Sequence, residues 1–197
     1  MKIIAIAGGS ASGKSLFAAY LGERLPNSRI LSLDHFYFDR PQKISLEQYN
    51  CEIPNAFDFK TFHQLLEEVQ SLKSVILPSY DFVKGKRQKS TLKLSPGDYL
   101  ILEGAYVLMH ASIRSLLAYS FFLESPSDVI LSRRLLRDLQ FRKMIAAESI
   151  DHYFHFARQA YFTYVLPTKQ YANMVVENEY QSRLDLFLDD FLSKYHL

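Results

Sequence analysis

The chain has 197 residues, 48% of them hydrophobic, and a formal net charge of +2. That length suits a single domain with ample material for a core, since a domain takes roughly 100–200 residues, and so small a charge excludes a general polyanion binder. Its one cysteine, Cys51, rules out an internal disulfide and suits a reducing compartment. The first apolar run ends at Gly8 with no basic stretch ahead of it, unlike a signal peptide. No apolar run approaches the roughly 18 residues of a membrane span. A cytoplasmic protein with neither membrane nor nucleic-acid partner is expected.

In chain order, "KIIAIA" at 2–7 reads as a buried strand, and "SLFAAYLGERL" after it puts Phe17, Tyr20 and Leu21 at helical spacing. A helix is expected over 15–25, a strand at 29–33 ("RILSL"), a helix over 61–72 and a strand at 74–78 ("SVILP"). Two alternating runs within 79–96 flank "KGKR" and predict a hairpin excursion turning at Gly85. "YLILE" at 99–103, "YSFFLE" at 119–124 and "NMVVE" at 173–177 complete the strands. Helices are expected over 106–118, 127–143, 149–165 and 182–195, the last with Leu184, Phe187, Leu188, Phe191 and Leu192 on one face. Such alternation predicts an α/β protein whose mostly parallel sheet carries helices on both faces.

Between the first strand and first helix stands "GGSASGKS": Gly8, Gly9, Ser10, Ala11, Ser12, Gly13, Lys14 and Ser15. It fits G-x-x-x-x-G-K-[ST], and the strand before and helix after it are the context that separates a phosphate loop from a Gly/Ser-rich turn. Glycines let backbone N–H groups turn inward around phosphate oxygens, and the helix N-terminus adds a favourable field. Lys14 would bridge the β- and γ-phosphates of a nucleotide, and the Ser15 hydroxyl would ligate Mg²⁺. Two acids close apolar strands, where ligands of an open α/β sheet gather. Glu103, in "LILEG", suits a place near the magnesium and the phosphates; its plain alternative is an exposed or capping acid. Asp34, in "LDHFY", suits a general base toward a substrate hydroxyl, or else the N-cap of a following helix.

With these elements in view, residues 2 to about 178 resemble the uridine kinase (uridine/cytidine kinase) family of P-loop kinases. The resemblance rests on "YNCEIPNAFDF" (49–59), "PSYDFVKGKR" (78–87), "LEGAYVL", "RRLLRD" and "LPTKQYANMVV" as well as on the phosphate loop. It implies a three-layer P-loop fold with a hairpin excursion and a helical lid near 133–146, forming one kinase domain over 1–197. It implies ATP or GTP as donor, Mg²⁺, a nucleoside or other small hydroxyl acceptor, and a homo-oligomer, tetrameric in relatives. Carried over by position, Asp34 is the base toward the ribose 5′-hydroxyl, and Asp58 binds the ribose hydroxyls. Phe57, Tyr80 and Phe82 enclose the nucleoside, Arg134 lies near the acceptor, and Arg137 and Arg142 are lid arginines facing the triphosphate. Aromatic residues are common in this chain, so each aromatic taken alone reads equally as core.

The departures bear on specificity. Gly85 stands where the family's hairpin has a base-reading histidine, Met144 where it has a second arginine, Lys143 where it has a lid glycine, and His152 where a glutamine approaches the nucleoside. The phosphoryl-transfer residues are all present, so the expected function is a pyrimidine-salvage type of nucleoside 5′-kinase. Two alternatives stand beside it: a P-loop kinase of another small hydroxyl compound, and a nucleotide-binding regulatory protein without turnover. His152 and His155 lie three apart on a helix, but no third ligand spaced for zinc accompanies them.

Overall fold

Successive residues of the first apolar run face opposite cores. Strand β1 (Lys2–Gly8) sends Ile3, Ala5 and Ala7 into one cluster and Ile4 and Ile6 into the other, as strand alternation requires when both faces are covered. The protein is seen here as a computed structural model describing residues 1–45, 48–180 and 183–195. Its central sheet has five strands in the order β2 (Ser28–Ser32), β7 (Tyr99–Glu103), β1, β8 (Tyr119–Glu124), β9 (Met174–Glu177). All four pairings are parallel, with Ile6 opposite Glu103 and Gly8 opposite Leu123. Each parallel step needs a crossover, and the helices supply it.

Helix α1 (Lys14–Arg24) and helix α7 (Arg183–Tyr195) pack on the Ile4/Ile6 face through Phe17, Leu21, Leu184, Leu188 and Phe191, with Phe187 and Leu192 partly buried beside them. Helix α2 (Phe59–Gln70) covers the other face with Phe62, Leu66 and Val69. Residue 182, where the sequence starts the last helix, lies outside the described residues.

Two expected elements differ. The run at 74–78 does not join the sheet: β3 (Val75–Ile76) pairs antiparallel with β6 (Lys93–Leu94). Val75 and Leu77 are buried while Ile76 is 54% exposed, so this apolar run has only one buried face. The helix expected over 106–118 shrinks to α3 (Ala111–Arg114), because Arg114 Nη1 takes the carbonyls of Leu108 and Met109. The hairpin forms as read, β4 (Ser79–Asp81) against β5 (Lys86–Gln88), with Gly85 at φ 65°.

The segment expected as a lid departs more subtly. Helix α4 (Ser127–Arg137) runs into a widened π-helical turn, Asp138–Arg142, that ends at Lys143 with φ 57°. A left-handed backbone there favours glycine, and lysine bears a strain of roughly 1–2 kcal/mol. The segment expected over 149–165 is helical but begins earlier. It comprises α5 (Ala146–His152), a π-helical turn Tyr153–Ala157, α6 (Arg158–Ala160) and a second π-helical turn Tyr161–Val165.

Candidate active site

The phosphate loop is shaped by two glycines that no other residue could replace. Gly8 (φ 143°) would put a Cβ 2.4 Å from the Leu123 carbonyl, and Gly13 (φ 95°) would put one 2.2 Å from Asn178 Nδ2. The loop wraps closely on itself: Lys14 Nζ donates to the Gly9 carbonyl at 2.6 Å. Lys14 is buried, and burial pulls its ammonium pKa below the usual lysine value, against the raising fields of Glu103 and Asp34. A cation so short of water is primed for an anion. Because α1 starts at Lys14 with no acid in its first turn, its free N–H groups also face the loop. Ser10 Oγ accepts from Arg137 Nη1 at 3.1 Å, tying the loop to the end of α4.

A cavity of about 270 Å³ opens over this loop. Gly9, Ser10, Ala11, Gly13, Lys14 and Ser15 line it on one side, Asp34 and Glu103 on another, and Arg137 and Arg142 close it. Ser12 faces away and is buried. Glu103, at the end of β7, has the Ser32 and Ser15 side chains beside it, which favour its charged form. Burial, followed by the charge of Asp34, nonetheless raises its pKa above the ordinary carboxylate value. Two carboxylates and a serine hydroxyl crowded together form a hard-oxygen donor set suited to Mg²⁺. Asp34 is exposed in the 3₁₀ turn Leu33–Phe36, whose cap is Ser32: Ser32 Oγ accepts from the Asp34 N–H at 3.2 Å. Among the described residues the Asp34 carboxylate has no hydrogen-bond partner, so the capping alternative does not hold.

Of the acceptor-side residues read from the sequence, Phe57 lines this cavity together with Tyr37, the two rings 4.0 Å apart. Tyr80 and Phe82 pack around Tyr37 at 5.2 and 5.5 Å and are not among the lining residues. Asp58 is not among them either. Its Oδ1 caps α2 by accepting from Thr61 N–H, and its Oδ2 takes Thr61 Oγ1 at 2.8 Å and Arg87 Nη2 at 3.1 Å.

Arg134 is fully buried. Its Nη2 reaches Glu52 Oε1 at 2.6 Å and His152 Nδ1 at 3.0 Å, and its Nε lies 3.5 Å from Asp138 Oδ2. It lines a neighbouring cavity of about 470 Å³ between α4 and the helical segment near Tyr161, not the cavity over the loop. His152 is likewise turned away: Nδ1 accepts from Arg134, which leaves Nε2–H to donate to the Tyr49 carbonyl at 3.3 Å.

Other residues were not legible as site residues. Asp138 gathers Arg134, Arg137 and Arg142 within 3.5 Å and accepts from Ser149 Oγ. Burial raises its pKa, but the three guanidiniums outweigh that and hold it below the usual value. The signal was the i, i+4 spacing of Arg134 and Asp138 and of Asp138 and Arg142. Glu52, Tyr37 and Tyr106 line the loop cavity, and only tertiary packing brings them there. Cys51 Sγ, Glu52 and His152 come within 4.8 Å of one another. Arg134 already occupies the space between the last two, and burial pushes the Cys51 thiol up to about 12, so this is an ion-pair cluster and not a metal nest.

Comparison with known proteins accords with this geometry. The family model described as "Phosphoribulokinase / Uridine kinase family" matches residues 3–184. The chain belongs to that family. Its relatives include the uridine kinase of Borrelia garinii subsp. bavariensis, 31% identical over 176 residues covering 89% of this chain and 85% of that one. The uridine kinase of Proteus mirabilis is 32% identical over 190 residues, covering 92% and 89%. Among solved structures, phosphoribulokinase from Rhodobacter spheroides superposes with a TM-score of 0.63 at 14% identity, over 94% of this chain and 74% of that one. This places the fold among the P-loop kinases. Against that family background the departures have distinct settings. Met144 is buried just after the π-helical turn that follows α4, and Gly85 packs directly on Arg40 at the hairpin tip. Among the described residues no helix is long and apolar enough to cross a membrane.

Proposed function

We propose that this P-loop kinase transfers the γ-phosphate of ATP or GTP to the 5′-hydroxyl of a ribonucleoside, as a single kinase unit with the segment near 133–146 as its lid. The observation that carries the reading is the convergence of Lys14, Asp34, Glu103 and the aromatic pair Tyr37/Phe57 on one cavity. The names of the relatives point the same way. Loop N–H groups and Lys14 would hold the β- and γ-phosphates, and Arg137 and Arg142 would close over the transferring group. Asp34 takes the proton from the acceptor hydroxyl. The acceptor's hydroxyl oxygen attacks the γ-phosphorus in line, the bond to the bridging oxygen breaks, and the nucleoside diphosphate leaves. Ser15 and Glu103 would hold Mg²⁺, which when bound neutralises charge on the phosphate oxygens.

A second reading keeps the chemistry and changes the acceptor to another small hydroxyl compound. It is favoured by Gly85, which has no side chain, and by Met144, which is buried. A screen for ADP or GDP release over ribonucleosides and other alcohols decides between them. Release only with non-nucleoside alcohols replaces the first reading by the second. Nucleotide binding without release on any acceptor removes both.

A further inference from the structure

Three guanidiniums and one carboxylate meet beside the loop cavity, and the mechanism above uses only two of the guanidiniums. The carboxylate is Asp138, fully buried at the start of the π-helical turn that ends at Arg142. Both of its oxygens are engaged. Oδ1 accepts from Arg137 Nε at 3.0 Å and from Nη2 at 2.8 Å, and Arg142 Nε lies 3.5 Å from it. Oδ2 accepts from Ser149 Oγ of α5 at 2.8 Å, with Arg134 Nε at 3.5 Å. The remaining nitrogen of Arg137, Nη1, is thereby turned to Ser10 Oγ in the phosphate loop at 3.1 Å. Arg142 lies over the Phe82 ring of the hairpin, 4.7 Å from its centroid. From one carboxylate the two arginines reach two walls around the cavity, while Asp138 itself is not among the lining residues.

We propose that Asp138 is a positioning residue that stands in for a phosphate while the nucleotide is absent, holding Arg137 and Arg142 at the cavity, with Ser149 as its anchor. The proposal rests on the kinase reading above, in which these arginines close over the transferring group. Guanidiniums this close repel one another, and without a counter-charge they would splay apart. Two further cations line the cavity, but each is held differently: Lys14 donates to the Gly9 carbonyl, and Arg133 to the carbonyls of Asn178 and Glu179. Arg134 has Glu52 as a second anion. Arg137 and Arg142 alone lean on Asp138 while lining the cavity, so an arriving phosphate relieves these two. Donors already in place need no rearrangement at the moment of transfer. Loss of Asp138 therefore belongs in turnover and not in nucleotide binding.

The test compares wild type, Asp138→Asn and Ser149→Ala in two measurements. In the first, melting temperature is followed against pyrophosphate at constant ionic strength, with neither Mg²⁺ nor acceptor. Asp138→Asn should melt below wild type yet gain more from pyrophosphate, because the anion supplies the missing charge; Ser149→Ala should fall between them. An equal gain in all three proteins would make Asp138 a merely structural group and overturn the proposal. In the second, kcat, nucleotide KM and Mg²⁺ requirement are read from ADP release with whichever acceptor wild type uses. Asp138→Asn should lower kcat by roughly 10²–10³-fold, the size of losing one preorganised donor, while nucleotide KM does not rise. Unchanged kcat, a raised nucleotide KM, or a raised Mg²⁺ requirement that puts Asp138 beside the metal would each overturn it. Where Asp138→Asn fails to fold, Ser149→Ala carries both measurements, with the same signs at smaller size. If wild type turns over no acceptor, the kinase reading falls, and the pyrophosphate comparison still judges whether Asp138 holds the place of a phosphate.

Discussion

Asn178 Nδ2 donates to the Ser12 carbonyl at 2.7 Å, joining the end of β9 to the middle of the phosphate loop. The Asn178 backbone carbonyl in turn accepts from Ser125 Oγ and from Arg133 Nη1. One buried asparagine thus registers the loop, the end of β8 and helix α4 on one another. Asn178→Ala would leave the Ser12 carbonyl with only the long 3.5 Å hydrogen bond from Ser125 Oγ, at a cost of about 1–3 kcal/mol. The expected outcome is a melting temperature lower by several degrees together with weaker nucleotide binding, read by thermal melts and titration calorimetry. Unchanged affinity in a folded variant would show that the loop holds its shape without β9.

Asp34 stands alone at the mouth of the cavity, and Ser32 already does the capping. Asp34→Asn is therefore expected to leave the fold and the nucleotide affinity nearly unchanged. Turnover should fall by roughly 10²–10⁴-fold, the usual size of a general-base contribution. Initial rates under saturating nucleotide and acceptor check this, and wild-type turnover in the variant would remove Asp34 from the chemistry.

The buried cluster of Glu52, Arg134 and His152 sets an acid limb of stability. Burial pushes the His152 pKa below its ordinary 6.5, with Arg134 adding to the effect and Glu52 opposing it. The folded imidazole stays neutral while the unfolded one takes a proton, so its contribution is present above pH 6.5 and lost as pH falls below it. For Glu52, burial raises the pKa, but Arg134, His152 and the Arg134 hydrogen bond outweigh it and bring the value to about 2 from 4.5. Its contribution is present above pH 4.5 and drains away as pH falls toward 2. Melting temperature should thus decline in two stages between pH 8 and 3. His152→Gln should flatten the upper stage and, because His152 is one of the groups that lower the Glu52 pKa, move the lower stage to higher pH. It should not erase the upper stage, because burial also lowers the pKa of His35 and His110.

The phosphate loop, all five strands of the central sheet and the strand-end acids were readable in the sequence because each depends on local spacing. β1 and β8 could be bounded to within a residue for that reason. What escaped depends on which face of a segment meets something else. Val75–Ile76 had strand composition but only one buried face, so it became a short edge ladder. Arg134 and His152 sat in helical positions that matched acceptor roles, and no periodicity announces that they point at Glu52 instead. Glu52 itself lies in a loop whose path is set by Tyr106, more than fifty residues away.

Base selectivity offers the sharpest test of the hairpin. Gly85 holds φ 65°, its carbonyl accepts from Arg40 N–H at 2.8 Å, and a Cβ added to it would lie 2.9 Å from Arg40 Nε. A histidine here meets both a left-handed backbone and an arginine side chain. Glycine in turn offers no donor or acceptor to a base edge, and buried Met144 replaces no guanidinium fork. The native protein is therefore expected to use uridine, cytidine and a purine ribonucleoside with kcat/KM values within roughly 10-fold of one another, the weak discrimination of a pocket without polar base contacts. Gly85→His alone should cost about 1 kcal/mol of stability from the backbone strain and leave selectivity little changed, because Arg40 blocks the ring. Gly85→His combined with Arg40→Ala removes that obstacle and should raise preference for pyrimidines. Kinetics on the three nucleosides with all three proteins check the series. Sharp uridine preference in the native enzyme, unimproved in the double variant, would place base reading somewhere other than this hairpin.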